Sequence, residues 1–373
     1  MVHMQEDTVD AAPVDASTNH YPPRHRWARR LIAIPLVVAA LAASLAASLA
    51  GRDAVADDTW AKKLGYGDDQ RVVILYATQM GMCSEANQAG RRYLNKGLVS
   101  SAGAMAPCPW FGDFAQWCRQ HPKADIGLSL TMTSEWKNYR WRPISPRSEV
   151  PHLVDGDGYL AKSVSQFTYN ARPEEVEREI EAQIAAARAA GLQPGHLAPH
   201  LGALFSRPDV LAVYLAAARK HWIPAVVIDL TPERIAQFRE AGIPVDPDTA
   251  DLVKSYPLPK LDDLQFMPRA DTYEQKREAL FELVRNLKPG ITKIVLQPAT
   301  ESEGLKRITD DWQQRVWDGR ILADPKVQEF LKAEGIVLTN WKEMMRRFDG
   351  EAKPGGKAPN GEIPSSTVEN VKK

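Results

Sequence analysis

Short runs of β-branched and apolar residues alternate with longer amphipathic segments along most of this chain, and that alternation constrains the fold more than any other feature. The predicted strands cover residues 71–76, 125–131, 196–200, 225–230, 292–296 and 335–340. The predicted helices cover residues 84–95, 172–190, 272–286 and 325–334, and two more begin near residues 207 and 231. Strands that alternate with helices form parallel sheets with crossover helices, so this pattern predicts an α/β protein.

The number of strand–helix units narrows the architecture further. Six or seven units within about 280 residues favour a (β/α) barrel, including an incomplete or distorted one, over two small Rossmann halves. No Gly-x-Gly-x-x-Gly motif follows a predicted strand and no Walker loop occurs, so a nucleotide-binding function has no support. In a (β/α) barrel the chemistry lies at the C-terminal ends of the strands, which is where candidate residues are sought.

The first 56 residues differ in composition from the rest of the chain. Residues 1–30 are polar and end in a basic cluster formed by Arg24, Arg26, Arg29 and Arg30. An uncharged run over residues 31–50 follows, and then Ala54-Val55-Ala56, which resembles a signal-peptidase site. The uncharged run is also long enough to span a bilayer as a helix. We therefore predict that residues 31–56 are a signal peptide or a membrane anchor, which places the remainder outside the cytoplasm, either periplasmic or extracellular.

Composition indicates where the folded domain begins and ends, and the charge balance limits the kind of partner that the protein can bind. We predict a linker over residues 57–69, one folded domain over 70–348, and a disordered tail over 349–373, which is rich in Gly, Pro, Lys and Ser. Because 47 Lys and Arg residues balance 47 Asp and Glu residues, no basic excess exists to neutralise phosphates. The balance argues against nucleic acid as a partner.

The three cysteines say less about the fold and the compartment. Cys83, Cys108 and Cys118 are too few for a disulfide framework and lack the spacing of a metal site. In an oxidising compartment one pair among them could form a bridge, and the sequence does not choose the pair.

Four strand ends carry recognisable motifs. They are Ala77-Thr78-Gln79-Met80-Gly81, Gly127-Leu128-Ser129-Leu130-Thr131, Ala198-Pro199-His200, and Leu296-Gln297-Pro298-Ala299. At these segments, and at flanking ones such as residues 96–101, 107–111 and 154–158, the sequence resembles the YdjC-like (ChbG/HpnK-type) family of carbohydrate deacetylases. The resemblance covers residues 70 to 345 in order and implies a deacetylase-like TIM barrel.

This chain departs from the family pattern at most positions that carry chemistry. The family has two aspartates at residues 78 and 79, histidines at 129 and 297, and an aspartate at 198. Those positions are occupied here by neutral side chains: Thr78, Gln79, Ser129, Gln297 and Ala198. Only His200 keeps the family's residue.

The resemblance implies metal-assisted removal of an N-acetyl group from an amino sugar, with a general base at residue 78 and metal ligands at residues 79, 129 and 200. Gln79 and Ser129 offer neutral and weaker donors than the family's residues, and Thr78 has no basic form at neutral pH. Base and metal each typically contribute about 10²–10⁴-fold or more, so their joint loss would remove several powers of ten in rate. We expect no cofactor, and a divalent metal (Mg²⁺ or Zn²⁺) only if the family site still functions.

Three hypotheses about function remain open. The leading one is a catalytically degenerate relative that acts as a carbohydrate-binding or interaction module. The others are an active hydrolase of altered mechanism that uses His200, and a scaffold partner of a genuine deacetylase. A neutral polar pocket suits an amino-sugar oligosaccharide, and Trp136, Tyr139 and Trp141 either stack on a sugar ring or simply pack.

Overall fold

The computed structural model describes residues 58–243 and 245–350. The predicted polar region, the predicted signal or anchor segment over 31–56, and the predicted tail beyond Gly350 lie outside the described residues. Among the described helices, none is long and apolar enough to cross a membrane.

The core is a parallel sheet that curls into a distorted barrel. Its strands are β1 (Arg71–Met80), β2 (Ser101–Ala104), β3 (Ile126–Leu130), β4 (Leu197–Pro199), β5 (Asp263–Phe266), β6 (Gly290–Leu296) and β7 (Val337–Leu338). The strand order is β4-β3-β2-β1-β6-β5, and β7 pairs with the beginning of β1. The predicted α/β fold is confirmed as an incomplete, distorted (β/α) barrel.

Helices follow most of the strands and cover the outside of the sheet. They are α1 (Trp60–Lys63), α2 (Ser84–Asn95), α3 (Phe111–Gln120), α4 (Val164–Asn170), α5 (Pro173–Ala189), α6 (Pro208–His221), α7 (Pro232–Glu240), α8 (Pro247–Ser255), α9 (Tyr273–Arg285), α10 (Glu303–Ile308), α11 (Trp312–Ala323), α12 (Pro325–Ala333) and α13 (Trp341–Phe348). A 3-10 helix spans His200–Phe205 directly after β4.

The predicted strand over residues 225–230 is not a regular strand. The segment joins the sheet at only two isolated parallel bridges, Leu197 to Ala225 and Ile228 to Leu261. These bridges still link the two edges of the ladder, because the Val226 N–H donates to the Leu197 carbonyl at 2.8 Å and the Leu261 N–H donates to Val227 at 2.9 Å. Pro224, which has no N–H to donate, stands immediately before the segment and limits its pairing.

Alternation along β1 separates two apolar layers. Val72, Ile74 and Tyr76 face the interior of the barrel, whereas Val73 and Leu75 pack against the surrounding helices. Both sets are buried, as expected for a parallel strand that is covered on both faces.

The N-terminal ends of the strands are covered by residues 58–66, which the sequence predicted as a linker. Trp60 is only 8% exposed, and its indole N–H donates to Asp229 at 2.9 Å. The backbone N–H groups of Trp60 and Ala61 donate to the Asp262 carboxylate at 2.8 and 3.1 Å. This segment belongs to the packed body of the domain because it fills the apolar space beneath the barrel together with Trp341.

Candidate active site at the strand ends

A buried polar layer inside the barrel forms the floor of the candidate site. The Tyr76 hydroxyl lies 3.3 Å from His196 Nε2, and the Lys293 ammonium lies 3.6 Å from the centre of the Tyr76 ring. Burial lowers the pKa of Lys293 to about 7, because no described carboxylate forms an ion pair with it. Gly127 is required beside this layer, since a Cβ there would lie 2.3 Å from the His196 carbonyl oxygen.

Above this floor the strands bring the first substituted residues together. The hydroxyl oxygens of Thr78 and Ser129 lie 3.4 Å apart, and Ser129 pairs in register with Ala198 on the next strand. Ser129 and Ala198 are buried, whereas Thr78 is half-buried. The three positions form one cluster that offers two hydroxyl groups and a methyl group, with no ionisable group among them.

Gln79 is the most constrained of the substituted residues. It is 2% exposed and has a φ of +65°, a left-handed conformation that is uncommon for a residue other than glycine, asparagine or aspartate. Its side-chain oxygen accepts a 2.6 Å hydrogen bond from Nη1 of Arg315, a residue of α11. Sequence reasoning missed α11 altogether, although Arg315 and Asp318 are spaced three apart, as residues on one helical face are.

Gln297, at the end of β6, is held through its backbone. Its N–H donates to Asp318 at 2.8 Å, while its half-buried side-chain amide makes no hydrogen bond with a described residue. The amide can therefore donate to and accept from a ligand.

His200 pairs with a residue that sequence reasoning also missed. Its Nε2 lies 3.1 Å from an Oε atom of Glu135, and both side chains are largely covered. Burial acts to raise the pKa of Glu135, but the nearby His200 imidazole and Arg315 guanidinium outweigh it and hold that pKa below its ordinary value. A carboxylate is thus present at the strand ends, on the loop after β3.

The three aromatic residues of that loop have different roles in the structure. Trp141 is 2% exposed and donates its indole N–H to the Thr133 carbonyl at 2.8 Å, so it packs. Trp136 is half-buried and its ring lies 5.4 Å from the guanidinium carbon of Arg315. Tyr139 is also half-buried and donates to the Met82 carbonyl at 2.7 Å. Trp136 and Tyr139 are therefore partly accessible while they pack against the core, and the Trp141 ring packs edge-on against Trp136.

Gly81 and Asn87, two residues of the family motif, shape the loop after β1. Asn87 accepts from the Gly81 N–H at 2.7 Å and donates to the Trp110 carbonyl at 3.0 Å. Gly81 has a φ of +84°, and a Cβ there would lie 3.0 Å from the backbone of Phe111. These contacts hold the loop after β1 in its tight conformation.

The side chains at the positions that the resemblance assigns to metal ligands do not form a metal site among the described residues. The Gln79 oxygen is bonded to a guanidinium, Ser129 lies against Thr78, and His200 Nε2 faces Glu135. Within residues 58–243 and 245–350 no three His, Cys, Asp or Glu side chains are arranged to hold an ion. The donors present are mostly neutral and already engaged, so they do not fit a divalent cation.

The cysteines are buried free thiols rather than a bridge. Cys83, Cys108 and Cys118 form no disulfide in the described chain. Burial raises the pKa of Cys83 and of Cys118 to about 12, so both are protonated at neutral pH.

The profile of the YdjC-like protein family matches residues 72–333, which include every strand end described above. The chain belongs to this family. A carbohydrate deacetylase of Thermus thermophilus is 32% identical over 284 residues, covering 75% of this chain and 96% of that protein. A carbohydrate deacetylase of Enterococcus faecalis is 27% identical over 276 residues, with 73% and 97% covered.

A similar solved structure supports the fold. A protein of Enterococcus faecalis, described as a candidate cellobiose-phosphate cleavage protein, superimposes with a TM-score of 0.61 at 25% identity. The match covers 74% of this chain and 99% of that one. The YdjC-like domain therefore begins near β1 and ends near α12.

Proposed function

We propose that this protein is an exported or membrane-tethered YdjC-like domain that binds amino-sugar oligosaccharides and has lost the deacetylation reaction. The observation that carries the proposal is the hydrogen bond from Arg315 to Gln79. It places a positively charged guanidinium against the side chain at a position where the family has a metal ligand. A metal ion on that oxygen would stand within about 5 Å of the guanidinium.

Electrostatics then disfavours metal binding at this position. Two unit charges about 4 Å apart interact by about 4 kcal/mol at the effective dielectric constant of a protein, so a divalent ion beside Arg315 meets roughly twice that repulsion. A family aspartate would offset this repulsion with its own charge, but the Gln79 amide does not. The same substitutions leave no carboxylate at residue 78 to act as the base.

The groups that remain suit a neutral polar ligand. Hydroxyl groups of Thr78 and Ser129 and the free amide of Gln297 can donate and accept hydrogen bonds, and the Trp136 ring offers a flat apolar face beside them. The names of the Thermus and Enterococcus relatives favour a carbohydrate.

Calorimetric titration with N-acetylglucosamine oligomers tests binding, and release of acetate with added Zn²⁺ or Mg²⁺ tests turnover. We expect saturable binding without turnover above background, and loss of binding in Trp136→Ala. Trp222→Ala is the matched control, because Trp222 is 56% exposed at the C-terminal end of α6, away from the strand ends. Metal-dependent turnover by the unmodified protein would refute the proposal.

Restoring the family's residues tests whether only the site was lost. The combined variant carries Thr78→Asp, Gln79→Asp, Ser129→His, Ala198→Asp and Gln297→His. We expect it to bind one divalent ion and to release acetate from the same oligomers. A folded variant that binds neither metal nor substrate contradicts the view that the scaffold is intact.

One observation favours a second candidate, an active hydrolase of altered mechanism. Glu135 and His200 form a carboxylate–imidazole pair at 3.1 Å, which is the arrangement of a general base and its orienting group. This candidate predicts acetate release that His200→Ala abolishes and Glu135→Gln reduces. Absence of release in the unmodified protein excludes it.

The export part of the proposal rests on the N-terminal sequence pattern. Amino-terminal sequencing of protein recovered from membranes and from the extracellular or periplasmic fraction tests it. A soluble mature chain that begins at Asp57 indicates a cleaved signal, whereas an intact membrane-bound chain indicates anchoring through residues 31–50. Recovery of the intact chain from the cytoplasm alone contradicts both forms.

A further inference from the structure

Arg315 is a buried cation that lacks an anionic partner at the strand ends. It is 4% exposed, and its one side-chain hydrogen bond to a described residue goes to the neutral amide of Gln79. Its Nε is also buried and has no acceptor among the described residues. Burying a guanidinium that has so few hydrogen bonds and no ion-pair partner costs free energy, unless an anion binds to it.

The carboxylates around Arg315 are already paired with other basic side chains. The pairs are Asp311 with Arg269 at 2.7 Å, Asp318 with Lys276 at 2.7 Å, and Glu135 with His200 at 3.1 Å. None of these carboxylates forms an ion pair with Arg315. Arg315 therefore has no ion-pair partner among the described residues, although Asp311, Asp318 and Glu135 lie near enough to favour its charge.

The neutral residue at position 79 accounts for the missing ion pair. The family motif has an aspartate there, which is one methylene shorter than glutamine but would bring a negative charge close to the guanidinium that the Gln79 amide now meets. Replacing that carboxylate by an amide keeps a hydrogen-bond acceptor but removes the negative charge. The charge of Arg315 becomes available to a ligand.

We propose that Arg315 binds a carboxylate of the ligand, so that the site prefers amino sugars that carry a carboxylate group. This inference rests on the proposed carbohydrate binding and names its substrate class. A planar carboxylate matches the donor fork of a guanidinium and its single charge. A phosphate dianion needs a second free cation, whereas Lys276 and Arg269 are engaged with Asp318 and Asp311. The Trp136 ring beside the guanidinium would face the sugar that bears the carboxylate.

Two disaccharides that differ only in a lactyl group, which carries the carboxylate, provide the test. Chitobiose is compared by calorimetry with the disaccharide in which one N-acetylglucosamine is replaced by N-acetylmuramic acid, which adds a lactyl carboxylate. We expect the acidic disaccharide to bind about ten- to a hundredfold more tightly, the range for a hydrogen bond to a charged group. Equal affinities overturn the inference, and so does tighter binding of chitobiose 6-phosphate than of the lactyl sugar.

A matched pair of variants at residue 79 tests whether the preference for the acidic sugar arises from Arg315. Gln79→Asp supplies Arg315 with an internal carboxylate, and we expect the preference for the acidic sugar to disappear. Gln79→Asn keeps the site neutral, and we expect the preference to remain. A preference that survives Gln79→Asp overturns the inference. Arg315→Met should also abolish the preference, but the aspartate variant decides the matter if the methionine variant does not fold.

A sugar-free probe separates this inference from the proposed function. Sodium acetate, compared with sodium chloride at equal ionic strength, should raise the melting temperature of the unmodified protein and not of Gln79→Asp. If acetate stabilises the protein but neither disaccharide binds, the carbohydrate proposal fails and the anion site stands. If both disaccharides bind equally and acetate has no effect, the anion site fails and the carbohydrate proposal stands.

Discussion

Replacing Lys293 with methionine should stabilise the folded protein, although it removes an ionisable side chain from the floor of the site. Burial lowers the pKa of Lys293 from 10.5 to about 7, and its ammonium lies over the face of Tyr76 rather than in an ion pair with a described carboxylate. Each pKa unit corresponds to about 1.36 kcal/mol. The shift therefore destabilises the folded state by about 5 kcal/mol below pH 7, relative to pH above 10.5.

The sign of the pH dependence follows from proton binding. Between pH 7 and 10.5 the unfolded chain holds a proton on Lys293 that the folded protein lacks, so stability rises with pH by about 1.4 kcal/mol per unit from this group. Methionine has a similar volume and no proton to lose. The variant should be more stable by several kcal/mol at pH 7.5, with the difference shrinking steadily towards pH 9.5.

Urea denaturation of both proteins at pH 7.5, 8.5 and 9.5 measures this difference, because other titrating groups are common to both and cancel. Lys288→Met is the matched control, since Lys288 is exposed just before β6 and should change neither stability nor its slope. A Lys293→Met protein that is less stable at pH 7.5, or a difference that does not vary with pH, refutes the reasoning.

Two further substitutions probe the interior of the barrel. Gly103→Ala should destabilise the protein by about 1–3 kcal/mol or more in urea denaturation, because the new Cβ would lie 2.0 Å from the Tyr76 hydroxyl oxygen. Gly112→Ala is the control, because a Cβ on Gly112 of α3 would meet no atom within 4 Å. It should be neutral or stabilise the protein by up to about 1 kcal/mol. A tolerated Gly103→Ala contradicts the packing described for the floor. Trp60→Ala should cost about 3–5 kcal/mol, because its ring fills the space beneath the barrel, and a loss below about 1 kcal/mol would mean that residues 58–66 act as a linker after all.

Local signals predicted the regular elements where the sequence pattern is strong. The helix over residues 84–95 has the predicted bounds, and the apolar run that begins at Arg71 forms β1. In contrast, β2 is Ser-Ala-Gly-Ala, which has no β-branched residue and no intrinsic preference for a strand. It is a strand because β1 and β3 pair with both of its edges and because Gly103 leaves room for Tyr76.

The sequence by itself determined the family and the barrel class, and it predicts the five positions where ionisable groups are replaced, because each of these depends on short motifs. Only the tertiary structure decided what the replacements mean. Arg315 reaches Gln79 across 236 residues, and Glu135 meets His200 across 65. Such contacts depend on how the strands curl and on where a separate helix or loop packs above them, and no local pattern encodes either distance. The physical result is a site in which a guanidinium stands against a neutral amide, with its charge available to a ligand.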